Sequence, residues 1–65
     1  MKKELISVTI AHEVLGEFEF TKEDNLLKDV IVHEDRIEIV MEDEIVEYLK
    51  SMHLIVSMKY ALVEE

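Results

Sequence analysis

VIVHEDRIEIVMEDEIVEYLKSM, residues 30–52, is the stretch whose reading decides the fold. Its first half alternates. Val30-Ile31-Val32 and the run from Ile37 to Met41 flank a polar turn at His33 to Arg36, the pattern of a β-hairpin. Ile37, Ile39 and Met41 fall on one face of the second strand, with Glu38 and Val40 on the other. From Glu42 the period changes. Ile45, Leu49 and Met52 recur at helical spacing with Val46 and Tyr48 beside them. Glu42, Asp43 and Glu44 stand where a helix dipole is positive, and Lys50 where it is negative. The spacing predicts a hairpin followed by a helix over 42–52.

Upstream, ELISVTIA at 4–11 places Ile6, Val8 and Ile10 on one face and Leu5, Ser7 and Thr9 on the other, a half-buried strand. His12 to Gly16 turns the chain into the strictly alternating Glu17-Phe18-Glu19-Phe20, making a first hairpin. Thr21-Lys22-Glu23-Asp24 reads as a helix start with Thr21 as its cap; Leu26, Leu27 and Val30 allow one or two turns, or an irregular loop. Downstream, His53 to Val63 is a long strand. Leu54, Val56, Met58, Tyr60 and Leu62 share one face, while Ile55, Ala61 and Val63 keep the other largely apolar. A strand apolar on both sides is covered twice or lies in a subunit interface. His12-Glu13 and His33-Glu34 mark corresponding points of a faint strand-turn-strand echo.

The expected architecture is one α+β domain over 1–65: a small, mainly antiparallel sheet, order β-β-(short α)-β-β-α-β, completed by dimerisation. Ile55, Val56, Met58, Tyr60, Leu62 and Val63 are the expected dimer interface. Size argues the same way. A chain of 65 residues buries only about 60% of its unfolded surface and needs a supplement. The chain has no cysteine, which excludes disulfides and the Cys-containing zinc sites and fits a reducing cytoplasm. Hydrophobic residues at 49% place it well outside the disordered range. With no proline and one glycine, turns fall to Asp, Asn, Glu, His and Lys. The opening Met1-Lys2-Lys3 meets Glu4 at once and no cleavage site follows, so export is not expected. No uncharged run approaches the roughly 20 residues of a membrane span. The expectation is a soluble, cytoplasmic protein.

Sixteen acids against seven bases give a net charge of −9. Its distribution is uneven, because residues 1–16 and 48–65 are each neutral and all of the excess lies between Glu17 and Glu47. Glu34, Asp35, Glu38, Glu42, Asp43, Glu44 and Glu47 face only Arg36 as a counter-charge within 30–47. Nucleic acid and anionic membranes would be repelled, since both are bound through Lys and Arg. A basic protein surface is the natural partner.

Catalysis finds little support. His12, His33 and His53, with Glu13, Glu34 and Asp35, offer imidazole and carboxylate donors, but their separations match no compact metal motif and all lie at element ends. The carboxylate pairs Asp43/Glu47 and Glu38/Glu42 lie on a solvent-facing pattern, with no cleft to raise one of them. Residues 34–47 lack the central glycine and alternating ligands of a calcium loop. Met41, Met52 and Met58 read as core fillers. No nucleophile triad, phosphate loop or cofactor fingerprint is present.

The sequence therefore points to a small acidic interaction module, an inhibitor or accessory factor. Its patch (Glu34, Asp35, Glu38, Glu42, Asp43, Glu44, Glu47) would dock on a basic, nucleic-acid-handling partner, with carboxylates standing where phosphates would. The alternative is an assembly subunit that pairs through apolar strands, its charge serving solubility alone. Neither cofactor nor metal is expected.

Overall fold

The computed structural model describes residues 1–64. The chain runs β1 (Lys2–His12), β2 (Gly16–Thr21), α1 (Lys22–Asn25), β3 (Leu27–Val32), β4 (Arg36–Met41), β5 (Ile45–Leu49) and β6 (His53–Val63). These strands make two antiparallel three-stranded sheets, ordered β2-β1-β6 and β3-β4-β5. One core lies between them. Leu5, Val8 and Ile10 from the first sheet meet Leu27, Ile37, Ile39 and Met41 from the second. Phe18, Phe20, Ile55 and Met58 pack on that core from one side, and Val30, Val46 and Tyr48 from the other.

Local chemistry accounts for most of the elements. In β4 the alternation is clean: Ile37, Ile39 and Met41 are buried while Arg36, Glu38 and Val40 turn outward, as the spacing requires. The short helix forms because Thr21 caps it. Its Oγ1 accepts the Asp24 N–H at 2.9 Å, and Asn25 Oδ1 accepts the Thr21 N–H at 2.9 Å in return. The helix stops after one turn at Leu26, whose φ of 57° is left-handed. Gly16 opens β2 at φ 88°, where any side chain would be strained.

Three expectations need correction. The helix expected over 42–52 is a turn, the strand β5, and a second turn. Its supposed inner face is the outer one: Ile45 and Leu49 are 59% and 57% exposed, and Met52 is exposed too. Val46 and Tyr48 point inward instead, opposite Ile39 and Ile37 of β4. An eleven-residue helix is marginal by itself, and the free edge of β4 together with the core offers this segment more than a solvent-facing turn of helix would. The expected single sheet is likewise two, with the final strand returning to pair with the first.

The third correction concerns bulges, which alternation cannot reveal. Ile6 has no partner on β6, so the inward side of β1 passes from Val8 to Leu5 and Ile6 is exposed. Val56 has no partner on β1, so Ile55 and Met58 both pack on the core, three residues apart. The uniform face expected from Leu54 to Leu62 is therefore broken at Val56. At eleven residues each, β1 and β6 span about 36 Å at ~3.3 Å per residue, which sets the 39 Å long axis of the molecule.

Candidate functional site

The acidic run of the sequence does not become one patch. Glu34 and Asp35 sit in the β3–β4 turn, closed by a His33 N–H to Arg36 carbonyl bond of 2.8 Å. Glu42, Asp43 and Glu44 sit in the β4–β5 turn at the opposite end of β4, closed by a Met41 N–H to Glu44 carbonyl bond of 2.8 Å. Six strand residues, about 20 Å, separate the two. Between them Glu38 and Glu47 face each other across the β4–β5 ladder.

Two like charges directly opposite would destabilise the ladder, and each is answered. His33 Nε2 lies 3.0 Å from Glu38 Oε1, and Arg36 Nε bonds Glu47 while its Nη1 reaches Asp35 at 3.0 Å. The bonds from Glu47 first, then Asp35, hold the Arg36 guanidinium above its ordinary range. Glu38, Glu47 and Asp35 are thus engaged within the protein.

The fold assembles a different acidic surface, joining part of the run to residues outside it. The Glu42 N–H donates to the Leu26 carbonyl at 2.9 Å, tying the β4–β5 turn to the end of α1. Glu23 and Asp24 of α1 thereby join Glu42, Asp43 and Glu44 at one end of the molecule, all exposed. Among the described residues none of these five forms an ion pair, and Lys22 is taken by Glu4. Sequence reading missed Glu23 and Asp24 as members. The available signal was their place in a capped turn, which needed the fold to bring it beside residue 42.

A cluster of rings lies between the two sheets. Tyr48 of the second sheet is surrounded by Phe18, Phe20 and His53 of the first, with centroids 5.3, 6.1 and 4.9 Å away. Burial pushes the Tyr48 phenol above its ordinary range, and the charge of Glu44 adds to this. His12 and His53 meet across β1 and β6, whereas His33 is bound to Glu38. No three metal-ligating side chains converge among the described residues. A shallow cavity of about 650 Å³ on the outer face of the first sheet is lined by Ser7, Thr21, Lys22 and Lys59 among others, and has no histidine beside its hydroxyls.

Of the expected dimer residues, Ile55 and Met58 pack on the core, Val63 is half-buried, and Val56, Tyr60 and Leu62 are exposed, as is Leu54. Tyr60 carries the Lys3 ammonium 4.8 Å over its ring. Among the described residues only one edge of β6 is paired, to β1; the other is open. Among the described residues no helix is long and apolar enough to cross a membrane. Comparison with protein-family models, with curated proteins and with solved structures gave no match.

Proposed function

We propose that this protein is a small acidic interaction module, an inhibitor or accessory factor that docks on a basic partner protein. One observation carries the reading. Glu23, Asp24, Glu42, Asp43 and Glu44 converge at one end, exposed and without an ion-pair partner among the described residues. Five unanswered carboxylates raise a local field that a basic surface would relieve, accelerating encounter as well as holding the complex. A protein whose groove ordinarily takes nucleic acid is the class of partner such a surface fits. Glu34 stands at the other end of β4 beside an Asp35 that Arg36 engages, and Glu38 and Glu47 serve the ladder more than the partner.

The test is a pulldown from native cells followed by binding measurements at rising salt. Docking through the acidic end weakens steeply between about 0.05 and 0.5 M salt, as screening shortens the reach of each charge. Glu23→Gln, Asp24→Asn, Glu42→Gln, Asp43→Asn and Glu44→Gln together abolish binding and leave the fold intact. Retention of the captured partner by that variant at low salt sinks the proposal.

A second reading is favoured by a separate observation. The open edge of β6 carries exposed Leu54, Val56, Tyr60 and Leu62, and Lys59 is the one formal charge from His53 to Val63. In a chain of net charge −9, this edge carries little charge to hold two copies apart. On this reading the module works as a homodimer paired along β6.

A further inference from the structure

The hydrogen bonds of the His12 imidazole select one tautomer of the neutral ring. Its Nδ1 accepts the N–H groups of Val14 and Leu15, both at 3.0 Å. A backbone N–H can only donate, so Nδ1 must present its lone pair and the single ring proton sits on Nε2. These two bonds close the turn between β1 and β2. Opposite His12 on β6 stands His53, its ring centroid 4.8 Å away and tilted by 59°. The His53 Nδ1 lies 3.0 Å from the Leu49 carbonyl, which can only accept, so that nitrogen carries a proton. Tyr48 of β5 packs on the His53 ring. Glu13 from the turn and Lys50 from the β5–β6 connection line the same cavity of about 290 Å³ as the two histidines.

We propose that His12 is a proton-operated latch on the β1–β2 turn. Neutral, it holds residues 13–15 in place. A second proton reaches Nδ1 only by displacing both amides. The turn then opens. Its tip presents Val14 and Leu15, 83% and 77% exposed, so acidification releases the most exposed aliphatic pair of the molecule from a fixed conformation. The latch is independent of any partner docked on the acidic end.

The experiment is an amide and imidazole NMR titration of the full chain from pH 8 to pH 5. The Val14 and Leu15 amide signals are expected to move in step with the His12 ring, and their exchange protection to fall about tenfold, the loss of roughly one hydrogen bond. His12→Asn supplies an oxygen acceptor that does not titrate, so its Val14 and Leu15 signals stay flat over the same range. The proposal fails if the His12 ring titrates while both amides stay still and protected. It also fails if folded H12N shows the same response as the parent. Should H12N not fold, the parent titration decides alone.

Discussion

At the residue scale, stability rests on a few side chains, because the buried core is only seven hydrophobic residues. Ile39 is fully buried at the centre of β4. Ile39→Ala removes about 2–5 kcal/mol, the usual transfer and cavity penalty, from a domain whose total stability is on the order of 3–10 kcal/mol. Urea denaturation is expected to show a clearly lowered midpoint. Leu26 gives the opposite sign. Its left-handed φ costs an L-residue but not glycine, and its side chain is exposed. Leu26→Gly should therefore be neutral or stabilising by up to ~1 kcal/mol, a result that destabilisation in the same melts would contradict.

Tyr48 ties stability to alkaline pH. Burial, and then Glu44, favour its protonated phenol in the folded state. That contribution is complete below the unfolded value of about 10 and is lost as pH rises through the higher folded one. Tyr48→Phe should flatten the alkaline limb of the stability profile, leaving Tyr60 as the one remaining phenol; a limb of unchanged slope would mean the burial of the hydroxyl has no consequence.

At the element scale the informative case is β5. A helix and a strand assign its residues to opposite sides, so substitution separates them. Leu49→Lys and Ile45→Lys lie on the exposed face and should each change stability by no more than about 0.5 kcal/mol. Val46→Lys and Tyr48→Lys place an ammonium against the core and should unfold the chain. The reverse pattern in denaturation midpoints would restore the helix. Much of the element list was legible: the two hairpins, the Thr21-capped turn and the final strand all follow from alternation and capping chemistry. The segment 42–52 was not, because Ile45, Leu49 and Met52 satisfy a helical period while Val46 and Tyr48 satisfy a strand period. Both readings fit the same letters, and contact with β4 and with Phe18, Phe20 and His53 decides between them.

At the scale of the whole molecule, charge and apolar surface are segregated. The five-acid cluster and the open β6 edge lie at different places on a body 39 Å long. If β6 pairs with a second copy, light scattering during gel filtration gives twice the 7.7 kDa chain mass, and that mass persists or rises with salt as charge repulsion is screened. Val56→Lys then yields a monomer. An unchanged mass with a folded spectrum for V56K would remove β6 as the interface.

By itself the sequence determined composition-level facts and local ones. These are a foldable chain, a neutral pair of ends around an acidic middle, the alternation of β4, and the cap at Thr21, all set by neighbours a few residues away. Only the tertiary structure decided which acids stand together. A strand carries its two flanking turns to opposite ends, so residues 34–35 and 42–44, close in sequence, are separated by the length of β4. A hydrogen bond between Glu42 and Leu26 joins residues 16 apart in sequence, so Glu23 and Asp24 enter the cluster. Bulges at Ile6 and Val56 likewise reassign faces that strict alternation had set. Local pattern reports which side of an element is apolar; sheet pairing alone determines what that side, and its charges, finally meet.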